Sequence, residues 1–306
     1  MEIQLYNGPM IDAHQHFWQP QINPHPWLAP GVLIPFRYGD YTAIKREYLP
    51  PDYLRDATSK HNVVATVYID AEWDPKDPTG ETQYIHTVAD KFNMPNAVVA
   101  QAWLHHDDIS EVLKKQSAFP LVRSVRHKPA GALSPEEAKN GVRTLMSDDK
   151  WRQGYALLSK FNLNFDLQTP WWNLHEAKQL AQDFPETLII LNHTGLPSDR
   201  SQEGLNAWHK SMEQLSDVPN VVVKISGIGL PDKKWSIDDN KWIIQETVEI
   251  FGVERCMFAS NFPVDSLCGS LDTIFTGFKE AVKHYSYEDQ KKLFFSNAKK
   301  FYRILI

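Results

Sequence analysis

Cysteine is scarce in this 306-residue chain: there are two, Cys256 and Cys268. They form neither a disulfide framework nor a spaced zinc motif, and they fit a reducing cytoplasm. No apolar run approaches the roughly 20 residues that a bilayer-spanning helix needs. No basic segment followed by an apolar one opens the chain, so a cytoplasmic protein is expected. Charge is nowhere concentrated. The net value of −6 is spread without blocks of one sign, which argues against nucleic acid or a membrane as partner. No internal repeat of roughly 20–50 residues is present.

What remains is ordinary globular material, 42% hydrophobic and 23% charged, enough for one large core. Short β-branched or apolar runs fall at 10–16, 63–69, 97–104, 121–127, 163–168, 188–193, 221–227 and 255–261, with helical patterns between them. Continuous apolar strands separated by helices predict a parallel sheet buried on both faces, and eight strands close into a barrel. The expectation is α/β: one (β/α)8 (TIM) barrel domain over residues 1–306. A long segment at about 18–50 follows the first strand, rich in Pro, Trp and Tyr and without periodicity. A connection of that length is a candidate lid or pocket wall, and Trp18, Trp27, Arg37, Tyr38 and Tyr41 suit a small polar ligand. An inert packed excursion is the competing explanation.

In such barrels the site lies at the C-terminal ends of the strands. His14 and His16 end the first strand, and side chains two apart share a face. An H-x-H pair alone is more often two unrelated surface residues. Here other strand ends also carry polar groups: Arg126 and His127, Gln168, His193, Ser226, and Asn261 followed by Asp265. Their convergence points to an enzyme acting on a small molecule. Arginines in a barrel strand are costly unless paired or aimed at an anion. Arg123, Arg126 and His127 are therefore candidates to hold a substrate carboxylate or hydroxyl, with Glu72 or Asp166 as the alternative ion-pair partner. Arg123 and Arg126 are three apart, so only one of them reaches the pocket.

These motifs resemble the amidohydrolase superfamily. They are Asp12-Ala13-His14-Gln15-His16-Phe17-Trp18, Val125-Arg126-His127, Asp166-Leu167-Gln168-Thr169-Pro170, Asn192-His193-Thr194-Gly195, Lys224-Ile225-Ser226-Gly227 and Ala259-Ser260-Asn261-Phe262-Pro263. The ordered set spans about Ile11 to Arg303 and is most similar to the sugar-lactone and pyrone-dicarboxylate lactonases. The resemblance implies hydrolysis of a small lactone, with His14, His16 and His193 stabilising the oxyanion or holding one divalent metal such as zinc. A metal-independent mechanism stays open, because Gln168 replaces the usual strand-five histidine. Asn261 stands where the family pattern has an aspartate, and an amide takes no proton from water. Asp265 or His193 is then the candidate base, with Gln168 and Ser226 at the substrate. The departure at Asn261 also keeps open a lyase of the same fold, such as a decarboxylase, or a non-catalytic binding barrel. Substrate identity and any homo-oligomer are not specified.

Overall fold

The computed structural model describes residues 5–306. Eight parallel strands lie in one sheet in the order β1-β2-β3-β4-β5-β6-β7-β8. They are β1 Met10–Gln15, β2 Val63–Ile69, β3 Ala97–Gln101, β4 Val122–Arg126, β5 Asn164–Leu167, β6 Ile189–Leu191, β7 Val221–Ile225 and β8 Cys256–Phe258. The helices that cover them include α1 Pro50–Ala57, α2 Gly80–Phe92, α3 Ile109–Ala118, α4 Pro135–Lys139, α5 Asp149–Lys160, α6 Leu174–Asp183, α7 Gln202–Ser216, α8 Ile237–Phe251 and α9 Leu271–Val282. The expected (β/α)8 architecture is what the chain adopts. The chain closes with two short helices, Tyr287–Lys291 and Asn297–Phe301, joined by a π turn. Among the described residues, no helix is long and apolar enough to cross a membrane.

Most strands read as apolar runs because both faces are buried, while β1, β4 and β5 are interrupted by polar residues. Outward-facing Val98, Val125, Phe165, Leu191 and Val223 pack under the helices. Inward-facing Val67, Ile69, Val99, Ile190, Val222 and Met257 form a second cluster, plugged by Tyr302 and Ile304 near the end of the chain. Helix α9 shows how the outer layer is specified. Leu271, Ile274, Phe275, Phe278 and Val282 recur at helical spacing and are buried, and the Ser270 hydroxyl accepts the Thr273 N–H at 3.0 Å as an N-cap.

Two local features aim β1 into the barrel. Asp12 pairs with Thr66 and Gln15 with Tyr68, so β1 carries one residue more than β2 over this span, a bulge that re-aims the strand beside the site. Asp12 then faces outward, accepting the Tyr53 hydroxyl at 2.7 Å and the Ser260 N–H at 2.8 Å. The barrel closes through the segment after β8, where the Asn261 N–H donates to the His14 carbonyl and the His16 N–H to Phe262, both at 2.8 Å. Closure therefore occurs at the residues singled out as chemical candidates.

The barrel interior is not wholly apolar. Asp166 forms an ion pair with Lys224 Nζ at 2.5 Å and accepts Ser124 Oγ at 2.7 Å, Tyr302 OH at 2.8 Å and Asn192 Nδ2 at 3.0 Å. Both Lys224 and Asp166 are fully buried. Burial pushes the Lys224 ammonium down to about 8 against the opposing pull of Asp166.

Candidate active site

A cavity of about 350 Å³ opens at the C-terminal ends of the strands, walled by His16, Asp70, Arg126, Gln168, His193 and Asn261. Its roof comes from the 18–50 segment through Trp27, Phe36 and Arg37. That segment is necked by reciprocal backbone bonds between Trp18 and Tyr48, 3.0 and 2.9 Å long. Trp27 Nε1 donates to the Ala71 carbonyl at 2.7 Å, and Arg37 reaches across the barrel mouth to the Gly227 carbonyl at 3.0 Å. Trp18 and Tyr41 are fully buried and serve packing, not the cavity.

Three histidines form the centre. The His14 ring centroid lies 5.1 Å from His16 and 4.6 Å from His193. His16 Nδ1 sits 2.8 Å from the Ile69 carbonyl, which can only accept, so the proton is on Nδ1 and Nε2 keeps its lone pair. His193 Nδ1 meets Ser226 Oγ at 2.9 Å. His14 lies beneath the other two, fully buried, with both ring nitrogens unpartnered. All three are held well below the ordinary imidazole value, first by burial. Lys224 adds to this at His14, Arg126 at His16, and Arg37 and Arg126 at His193. They are neutral rings at neutral pH, and the nitrogen that carries no proton keeps its lone pair.

His193 does not end a strand. β6 stops at Leu191, and the chain turns left-handed at His193 (φ 57°), Thr194 (φ 45°) and Leu196 (φ 55°). Asn261 has φ 57° as well. Such conformations cost on the order of 1–3 kcal/mol each and collect at functional sites. Gly227 permits the close approach: a Cβ there would lie 2.5 Å from His193 Nδ1 and 2.7 Å from Arg37 Nη2.

Arg126 is held by Asp70, with Nε to Oδ1 at 2.6 Å and Nη2 to the Asp70 carbonyl, while Nη1 donates to Gln168 Oε1 at 3.1 Å. Burial raises the Asp70 carboxyl and Arg126 opposes it. The ion-pair partner is thus Asp70 rather than Glu72 or Asp166. Glu72 instead pairs with Lys128 at 2.7 Å, which overcomes its burial and lowers its pKa. Asp70 was the residue that sequence reasoning passed over. A carboxylate directly after the apolar run of β2 occupies the same kind of position as His16 and Gln168, and that was the available signal.

Several candidates fall elsewhere, and each is a correction. Arg123 faces outward, donating to the Pro120 and Val122 carbonyls at 2.8 and 2.9 Å, as the strand period dictates for a residue three from Arg126. His127 also turns away: its Nδ1 accepts Trp151 Nε1 at 2.9 Å and the Leu104 N–H at 3.2 Å, and it lines only a small void behind Arg126. Asp265 is 1% exposed and does not line the cavity. It stands behind Asn261, whose Nδ2 donates to Asp265 Oδ1 at 2.6 Å, and Tyr38 OH donates to the same oxygen at 3.0 Å. Burial pushes the Asp265 carboxyl up to about 6, with Arg37 opposing at 3.6 Å. Ser226 acts on His193 rather than at the cavity surface. His16, His193, Asn261, Arg126 and Gln168 do meet there.

The arrangement is a (β/α)8 barrel whose strand ends carry neutral histidines and a buried guanidinium around one cavity. An amidohydrolase family model matches residues 11–304, and the chain belongs to the amidohydrolase family, which makes it a hydrolase. It is 38% identical to the uncharacterized protein y4mH of Sinorhizobium fredii, over 96% of this chain and 98% of that one. It is 26% identical to an L-fucono-1,5-lactonase of Burkholderia multivorans, over 86% and 85%. A zinc-bound amidohydrolase structure from Burkholderia multivorans superposes with a TM-score of 0.78 at 22% identity, covering 97% of this chain and all of that one, which bears on the fold.

The unpartnered nitrogens of His14 would welcome a metal ion. Yet among the described residues no three His, Cys, Asp or Glu side chains converge to hold one. The eighth-strand position offers a neutral amide, Asn261, whose Nδ2 donates one hydrogen to Asp265, in place of a carboxylate ligand. His14, His16 and His193 touch as rings but do not form the three-ligand set of a catalytic zinc site.

Proposed function

We propose that the protein opens a small lactone by attack of water on the ring carbonyl. The observation that carries this is His16: a neutral imidazole whose tautomer is set by the Ile69 carbonyl and whose Nε2 faces the cavity beside Arg126. Support also comes from the relative named L-fucono-1,5-lactonase, an activity of this kind.

In this mechanism His16 Nε2 takes a proton from water as the oxygen bonds to the carbonyl carbon. The carbonyl π pair moves onto oxygen, and the resulting anion lies among the Arg126 guanidinium, the Asn261 amide and His193. For His193 to donate there, the Ser226 hydroxyl donates to Nδ1 and leaves the ring proton on Nε2. When the oxyanion collapses, the ring C–O bond breaks. The departing alkoxide recovers the proton from the His16 imidazolium, and the product is the open hydroxy acid. The roof of Trp27 and Phe36 limits water, and Asp70 keeps Arg126 in place. Asn261 acts as a hydrogen-bonding group rather than a base, so the mechanism does not need the aspartate of the family pattern.

A pH-stat assay of 1,5- and 1,4-lactones of sugar acids, run before and after chelation, tests this. Turnover that survives chelation and falls about 10²–10⁴-fold in His16→Asn, with folding intact by circular dichroism, is the expected result. An unchanged rate in that variant removes His16 as the base. No turnover of any lactone removes the activity.

A further inference from the structure

We propose that the natural substrate carries, beyond its lactone ring, an apolar ring bearing an acid group, seated in a second lobe of the cavity. This rests on the lactone-hydrolase function proposed above.

The second lobe, about 370 Å³, adjoins the histidine lobe and shares Arg37, Lys128, Gln168 and Leu196 with it as a collar. At about 30 Å³ per water-sized group, the histidine lobe alone holds about a dozen such groups, the scale of one sugar lactone. The adjoining space doubles that. Its character also differs. Ala132, Pro170, Trp172, Pro197 and Ile228 give it an apolar wall, and Leu133, 83% exposed, stands at its mouth. A polyhydroxylated ring would gain little there, whereas a flat apolar ring would lose its contact with water.

The charged groups of this lobe are all cations: Arg37, Lys128 and Arg200, with no Asp or Glu among the described residues that line it. Glu72 already pairs with Lys128, and Asp265 lies near Arg37. Arg200 contacts only neutral acceptors: Ile228 O at 2.7 Å, Asn240 Oδ1 at 3.2 Å and Asp239 O at 3.3 Å. No carboxylate is in salt-bridge contact with it: the Asp239 carboxylate acts on it from beyond contact and is paired with Lys233 at 2.5 Å, so a substrate carboxylate supplies the near complement.

A matched series tests both parts: δ-valerolactone, 6-phenyl-δ-valerolactone and the para-carboxylate of the latter. The phenyl group is expected to raise kcat/KM about tenfold or more, and the carboxylate about tenfold again. Ala132→Trp and, independently, Ile228→Trp should collapse the phenyl gain, while Arg200→Gln should remove only the carboxylate gain. Because each is a ratio within one variant, partial loss of folded protein cancels. Valerolactone turnover with no gain from phenyl overturns this proposal and leaves lactone hydrolysis standing. A phenyl gain without a carboxylate gain overturns the acid group. No turnover of any compound, the sugar lactones included, overturns the activity on which the proposal rests.

Discussion

Asp265→Asn separates two roles for the carboxylate behind the site. Asp265 is buried, and burial raises its pKa from the ordinary 3.8 to about 6. A carboxyl whose folded pKa lies above its unfolded one binds protons more tightly when folded, so stability falls as pH rises between the two values. The difference between 3.8 and about 6, at about 1.4 kcal/mol per pH unit, costs the wild type roughly 3 kcal/mol by neutral pH. Almost all of that loss lies between about pH 4 and 6, and above the window the cost is constant. The amide variant does not titrate, so its stability relative to wild type should climb by about this amount across the window. A pH-independent offset of about 1–3 kcal/mol is set by the new N–H₂, which replaces Oδ2 where no partner exists. Urea unfolding of both proteins at half-unit steps from pH 4 to 8 measures the difference. A flat difference would refute the buried, raised carboxyl. The same variant decides function: its oxygen can still accept from Asn261 and Tyr38, so kcat should change by less than about tenfold. A loss of about 10³-fold or more would make Asp265 the base after all.

Three other substitutions probe the frame around the cavity. Lys224→Met strands Asp166 in the barrel interior and should cost about 3–5 kcal/mol by chemical denaturation, with much of it restored on adding Asp166→Asn. Gly227→Ala drives a methyl to within 2.5 Å of His193 Nδ1 at a positive φ, so it should cost about 1–3 kcal/mol and lower kcat more than it raises KM. Arg123→Gln should leave kcat and KM within about twofold, since the residue holds backbone carbonyls outside the barrel; a KM rise of about tenfold would place it at the substrate after all.

How far the sequence anticipated the molecule depended on how local the determining physics is. Strand identity follows from burial on both faces, so β2 was legible to the residue at 63–69. The separation of Arg126 from Arg123 needed only the period of two. His127 follows Arg126 directly, so the same period turns it away from the cavity, yet a histidine at a strand end drew attention by type alone. β6 and β8 came out as three residues each because the turns at His193 and after Phe258 are imposed by tertiary contact, which no propensity encodes. The bulge in β1 was invisible for the same reason, although the shared direction of His14 and His16 survived it.

The position at Asn261 shows why a departure from a family pattern is hard to interpret from sequence. Replacing an aspartate by an amide looks like the loss of a base, and the carboxylate four residues on looks like its substitute. In the folded chain the two are a single unit: the 2.6 Å bond from Asn261 spends the Asp265 oxygen on orientation. An aspartate at 261 would face Asp265 across that distance, and two carboxylates so placed cannot both ionise. The amide is therefore what lets a buried acid and a cavity-lining group coexist there. The proton chemistry then passes to whichever neutral group faces the cavity with a free lone pair, and His16 is so placed, with Nδ1 tied to Ile69. On this argument Asn261→Asp lowers turnover instead of restoring it, because the new carboxyl shares a proton with Asp265 and no longer donates to the oxyanion. A variant that gained activity would show that the amide had replaced a base.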